Sequence, residues 1–300
     1  MGTPLFAVPS LEALIAAGHQ VVGVFSQPDK PKNRGMKLTP SPVKVVALEH
    51  NLPVFQPKTL KDEAVQQELK ALAPELMVVA AYGKILPQAI LDIPAVGCIN
   101  VHSSLLPKYR GAAPINWAIL NGESETGVTI MHVVAALDAG DIILQAATPI
   151  DLDESVEQLH DRLAVMGAEL LGQAVAELAA GTAPRIPQDE SQHTYGPPCS
   201  AGSCRPSTGR VLRWKYTTRF RGLVPWPATT MELKGTRFKV FASLLTGENE
   251  NQPAGTVLGA DKKGIRVVCG DGGVLCITEV QAPGKKRMKA TDYLRGHPIL

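Results

Sequence analysis

Hydrophobic positions along the chain repeat with two different periods. Short apolar runs at Gln20 to Phe25, Leu76 to Ala81 and Gly97 to Val101 are separated by helix-like stretches, the pattern of strands buried on both faces of a parallel sheet. Thr126 to Val133 alternates apolar with polar and predicts another strand, leading into a glycine-containing loop at Asp138 to Gly140. Helical spacing occurs twice. Ser10 precedes Leu11 to Ala17 and Gly18, which predicts a cap, a helix and a stop. Val156, Leu159, Leu163, Met166, Leu170, Leu171, Val175 and Leu178 share one face after Asp153 or Ser155, with Gly181 as terminator. Residues 1–183 therefore read as an α/β domain.

Beyond Gly181 the chain turns rich in Pro, Gly and Ser, so 184–207 reads as an exposed linker. Strands are predicted at Arg237 to Ala242, Gly264 to Cys269 and Val274 to Val280, the last two joined through Gly270-Asp271-Gly272-Gly273. Residues 208–300 thus form a second domain, a small β-barrel.

Three hundred residues, 45% of them hydrophobic, suit two packed domains. No apolar run approaches the roughly 18 residues that span a bilayer, and no secretory leader pattern opens the chain, so a cytoplasmic location is expected. The five cysteines, at 98, 199, 204, 269 and 276, form no disulfide framework, and Cys199 and Cys204 near His193 lack the partners of a zinc site. No metal is expected. Net charge changes the picture more: residues 206–300 carry 16 Lys/Arg against 7 Asp/Glu, net +9, while the remainder is net −7. The second domain is therefore the candidate for a polyanionic partner.

Candidate chemistry lies where strand meets loop. Asn100 and His102, two apart at the end of a predicted strand, leave the same face beside a turn closed by Pro107 and Gly111. Asp138 arrives on the loop after the next strand, where a carboxylate orients an imidazole. An amide donor, a base and an orienter are the parts of an acyl-transfer site. On these residues alone a satisfied turn or core pair is the commoner arrangement.

A set of longer runs separates these readings. Gly2-Thr3-Pro4, Phe6-Ala7-Val8-Pro9, Gln27-Pro28-Asp29, Leu38 to Lys44, Ala80 to Pro87, Asn100 to Gly111 with Ala112-Ala113-Pro114-Ile115, and Leu137-Asp138 follow one another as in the formyltetrahydrofolate-dependent formyltransferases, which the chain resembles, most closely the methionyl-tRNA branch. Pro225-Trp226-Pro227 and Gly284 to Met288 continue the resemblance. It implies a Rossmann-like formyltransferase domain followed by an OB-like barrel, and transfer of the formyl group of 10-formyltetrahydrofolate to the α-amine of initiator methionyl-tRNA by a monomer. Asn100 would then donate to the formyl oxygen, His102 would stabilise or deprotonate, and Asp138 would fix the ring. The folate would lie along Gly83, Lys84, Ile85 and Leu86, with Leu91, and along Ser104, Leu105, Leu106 and Pro107. The tRNA would meet Lys30, Lys32, Arg34 and Lys37 in the first domain and Lys285, Lys286 and Arg287 in the second.

Three departures from the family pattern carry expectations. A hydrophobic strand normally precedes Gly2-Thr3-Pro4, so the sheet is expected to lack its first strand; 196–215 diverges; and Val133 to Ala136 replaces a polar, glycine-containing approach to Asp138. Rival readings are transfer to glycinamide ribonucleotide or an amino sugar, and an inactive RNA-binding relative. A dinucleotide site is disfavoured because Gly2-Thr3-Pro4-Leu5-Phe6 lacks the Gly-x-Gly-x-x-Gly turn.

Overall fold

The computed structural model describes residues 1–32, 37–199, 212–233 and 235–297. Its elements run α1 (Val8–Ala16), β1 (Val24–Phe25), β2 (Lys30–Lys32), β3 (Lys37–Thr39), α2 (Pro42–Glu49), β4 (Val54–Phe55), α3 (Glu63–Ala71), β5 (Leu76–Ala80), α4 (Gln88–Leu91), β6 (Gly97–His102), β7 (Arg110–Gly111), α5 (Pro114–Leu120), β8 (Glu125–His132), β9 (Ile142–Pro149), α6 (Val156–Ala180) and β10 (Tyr195–Gly196). There follow α7 (Arg213–Gly222), β11 (Thr229–Leu233), β12 (Thr236–Asn249), β13 (Val257–Ala260), β14 (Ile265–Val268), β15 (Gly273–Gln281), β16 (Met288–Lys289) and α8 (Ala290–Gly296).

Two compact units emerge. The first holds Met1–Pro114, Thr126–Thr148 and His160–Tyr195; the second holds Ile115–Glu125, Pro149–Leu159 and the chain from Gly196. In the first, β5 and β6 pair in parallel, β8 joins β6 antiparallel, and β9 completes the order β5-β6-β8-β9. β8, reached through β7 and α5, runs antiparallel to β6, so the parallel pairing of β5 and β6 does not extend to it. β1 and β4 form a separate parallel pair.

Between β1 and β5, among the described residues, only Met1 and Gly2 provide backbone. Gly2 N–H donates to the Phe25 carbonyl at 3.0 Å, Ala80 N–H donates to the Met1 carbonyl at 2.9 Å, and the Met1 amine donates to the Val78 carbonyl at 2.6 Å. Behind this single rung lies a cavity of about 650 Å³ lined by Leu11, Leu14, Val22, Val24, Leu76 and Val78, among others. Burial lowers the Met1 amine pKa to about 6.

Helix ends follow local chemistry. Ser155 caps α6 reciprocally: its Oγ accepts from Gln158 N–H while Gln158 Oε1 accepts from Ser155 N–H at 2.9 Å. Gly181, at φ +69°, provides the left-handed stop. α1 starts earlier than expected, because Pro9 fits its first turn. Ser10 is consequently inside the helix with a buried, unpartnered hydroxyl and is no cap. α6 has the length and mean hydropathy of a bilayer span, though charged residues such as Asp161, Arg162 and Glu169 interrupt it. Its Leu163, Leu171 and Ala174 are nonetheless buried in protein, and at Gly167 a Cβ would come 2.8 Å from Val101.

The second unit carries an antiparallel, barrel-like sheet in the order β11-β12-β15-β14-β13, with β16 on β15. Register shifts along β12 bend its long strand against β15. Phe220, Phe238, Val240, Ile265, Leu275 and Ile277 fill its core.

Candidate active site

The alternation of β6 sets the site. Ile99 and Val101 are buried on one face, and Asn100 and His102 leave by the other. Asn100 is half-buried, and its side-chain amide makes no hydrogen bond among the described residues. His102 is 5% exposed, and its Nε2 lies 3.0 Å from the Tyr109 carbonyl. A carbonyl only accepts, so Nε2 carries the hydrogen. The other ring nitrogen, Nδ1, faces Asp138 Oδ2 at 3.7 Å. The hydrogen bond that sets the tautomer therefore comes from Tyr109, correcting the expectation that Asp138 does so. Asp138 provides charge alongside Nδ1.

Asp138 itself is pinned. Its Oδ2 accepts from Gly111 N–H at 2.8 Å, and its backbone adopts φ +49°, a left-handed conformation that Asp tolerates better than most residues. Two residues on, Gly140 is obligatory, since a Cβ there would sit 1.9 Å from the His132 carbonyl oxygen. His132 ends β8, and burial, then the nearby Arg185 charge, holds its pKa below the usual imidazole value.

The turn after β6 is built on Thr129, which β8 places opposite His102. Thr129 Oγ1 donates to the Ser104 carbonyl at 2.7 Å and accepts from Leu106 N–H and from Gln145 Nε2. Ser104 is fully buried, its hydroxyl donating to the Lys108 carbonyl at 2.6 Å.

The residues expected to hold the folate separate into two groups. Leu86 and Leu91 belong to the core with Phe25, Met77 and Val79, and Leu106 packs with Met131 and Ile142. Lys84 Nζ caps the Pro57 and Lys58 carbonyls. Core packing thus takes up Leu86 and Leu91, two of the side chains expected to cover the folate faces. Ile85, by contrast, is 81% exposed. Gly83 is exposed, and Leu105 and Pro107 are half-buried. Gln27 Nε2 holds this loop through the Tyr82 and Gly83 carbonyls at 2.9 and 3.1 Å.

Within the basic loop expected at 28–37, β2 pairs antiparallel with β3, with Lys30 opposite Thr39 and Lys32 opposite Lys37. Asp29 anchors its base through Lys44 and Gln56, each at 2.8 Å, and the Lys44 hydrogen bond leads in lowering the Asp29 pKa. Lys30 is exposed; Arg34 lies outside the described residues. In the second unit Lys285 and Lys286 are exposed, whereas Arg287 pairs with Glu279 at 2.8 Å and lies over the Phe241 ring. Arg287 is itself exposed, and its charge is shared with this acidic partner. Among the described residues no acidic, His or Cys cluster suits a metal.

Three groups of functional weight escaped the sequence reading. Tyr109 and Gly111 act through backbone atoms, which carry no residue signature. Gln188 falls in the stretch read as linker, yet 186–194 is tied to the first unit: Ile186 exchanges both backbone hydrogen bonds with Ile142, and Arg110 N–H donates to the Thr194 carbonyl.

Comparison with known proteins places these features in context. Residues 1–175 match the family model described as formyl transferase, and residues 216–298 match the formyl transferase C-terminal domain. A methionyl-tRNA formyltransferase of Moorella thermoacetica is 48% identical over 305 residues, covering 100% of this chain and 96% of that protein. One from Trichlorobacter lovleyi is 45% identical over 304 residues, covering 100% and 93%. Among solved structures, an N-formyltransferase of Helicobacter canadensis, in complex with folinic acid and dTDP-3-aminofucose, superposes with a TM-score of 0.68 at 19% identity, covering 94% of this chain and 97% of that one.

Proposed function

The chain belongs to the formyl transferase family, and from that premise we propose that Asn100, His102 and Asp138 carry out formyl transfer from 10-formyltetrahydrofolate to the α-amine of methionyl-initiator-tRNA. The reaction follows from its full-length relatives; the observation that supports the residue roles is the His102–Asp138 pair on the same strand face as an uncommitted Asn100 amide.

The folate supplies the electrophilic formyl carbon. Asn100 Nδ2–H donates to the formyl oxygen as negative charge develops there. With Nε2–H fixed on Tyr109, Nδ1 is the free basic atom of His102 and accepts the proton released by the attacking amine. The Asp138 carboxylate, 3.7 Å away, stabilises the resulting imidazolium. The proton then passes to the departing folate nitrogen, which leaves neutral.

The folate rests against Gly83, Ile85, Leu105 and Pro107, whose exposure suits an apolar pocket with a few backbone polar contacts. Lys30, Lys32, Arg34 and Lys37, together with Lys285 and Lys286, engage the tRNA phosphates. We infer a cytoplasmic enzyme acting as a monomer, the latter checked by sedimentation. Transfer of labelled formyl to methionyl-tRNA, but not to glycinamide ribonucleotide or an amino sugar, is the expected result; formylation of either small amine in its place contradicts the substrate assignment.

A further inference from the structure

Gln188 stands at the centre of a clasp that holds the backbone of the reacting loop. Its Nε2 donates to the Asp138 carbonyl at 2.9 Å and the Gly140 carbonyl at 2.8 Å. Its Oε1 accepts from Arg110 Nε at 3.1 Å and Nη2 at 2.8 Å. The amide thus uses both donors and both acceptor lone pairs. Arg110, 2% exposed, is locked in turn by Glu190, which takes Nη1 at 3.1 Å and Nη2 at 2.7 Å in a bidentate pair. Arg110 beside it holds the Glu190 carboxyl below the usual carboxylate range.

Arg110 lies between Tyr109, whose carbonyl fixes His102 Nε2, and Gly111, whose N–H fixes Asp138 Oδ2. One connected network therefore reaches the ring, the carboxylate and the left-handed backbone of Asp138. Asp138 sits at positive φ in a glycine-bearing loop, so it needs an external restraint to keep its carboxylate near Nδ1. Among the described residues, Gln188 is the side chain that bonds to its backbone.

We propose that Gln188 is a positioning residue for Asp138, and that Arg110 and Glu190 fix Gln188 in its working rotamer. This rests on the reading of His102 and Asp138 as the reacting pair. Without the two carbonyl hydrogen bonds the loop relaxes, Asp138 retreats from Nδ1, and the chemical step slows while both substrates still bind.

The test separates positioning from folding. Gln188→Glu keeps the acceptor for Arg110, and so the clasp, but presents carboxylate oxygens to the Asp138 and Gly140 carbonyls in place of donors. The expected result, at a temperature below each variant's melting point, is kcat lowered about 10- to 100-fold with KM for folate and for methionyl-tRNA within about twofold. The pH profile of kcat shifts in the same direction as in Asp138→Asn, and the double variant Gln188→Glu/Asp138→Asn is no slower than Asp138→Asn alone. Gln188→Ala shows the same non-additivity. If Asp138→Asn is slow but Gln188→Glu keeps the parental kcat, or if the two effects multiply, the positioning role is refuted. A loss of rate that only tracks the unfolded fraction refutes it as well. A parental rate in Asp138→Asn instead overturns the underlying reading of the reacting pair.

Discussion

Removal of the Asn100 amide probes the chemical step with little disturbance of the fold. Asn100 sits mid-sheet, paired through its backbone with Val79 and Met131, and those ladders survive substitution. Its side chain has no hydrogen-bond partner among the described residues, so Asn100→Ala leaves no buried group orphaned, and the stability change stays within about 1 kcal/mol. The lost donor, in contrast, is the one we propose faces the developing oxyanion, and such a loss raises the barrier by about 2.7–4 kcal/mol, or roughly 100- to 1000-fold in kcat. Initial rates of labelled formyl transfer to methionyl-tRNA, alongside a thermal melt, measure both quantities. A fall of less than about tenfold in kcat, or a loss explained by unfolding, would refute the role of the amide.

Asp138→Asn keeps an oxygen for Gly111 N–H but removes the charge beside His102; kcat is expected to fall by about 100-fold or more, and a near-parental rate would show that the carboxylate is not needed. Lys285→Ala/Lys286→Ala is expected to raise KM for methionyl-tRNA, leave KM for the folate unchanged and flatten the salt dependence; equal effects on both substrates would exclude the phosphate contact. Because burial keeps His132 neutral in the fold, the unfolded chain takes up that proton first. Stability is therefore full above the ordinary imidazole pKa and declines as pH falls through the lowered native value. Denaturant melts of His132→Asn should lack that acid-side decline, and an unchanged pH dependence would disprove it.

Much of the fold was legible because hydrophobic periodicity is a local signal. β5 and β6 fall within a residue of the predicted runs, and α6 ends at the predicted glycine. β9 escaped prediction: after Ile142, Ile143 and Leu144 it runs on through Gln145, Ala146, Ala147 and Thr148, which carry no strong apolar alternation. The site was legible where side chains with distinctive chemistry stand at fixed spacing, as at Asn100, His102 and Asp138. It was illegible where function runs through backbone oxygens or through contacts distant in sequence. Gln188 lies 50 positions from Asp138 and 78 from Arg110, in a proline-rich stretch whose composition suggests exposure. Leu86 and Leu91 misled for the opposite reason: an apolar residue in a motif looks the same whether it covers a ligand or fills the core behind it.

The most direct test of the central claim is a crystal structure of the protein with 5-formyltetrahydrofolate, a stable formyl-bearing folate. The predicted result is a pterin against Gly83 and Ile85, and a formyl oxygen about 3 Å from Asn100 Nδ2 with His102 Nδ1 on the side from which the amine arrives. A folate bound elsewhere, or a formyl group turned away from Asn100 and His102, would contradict it.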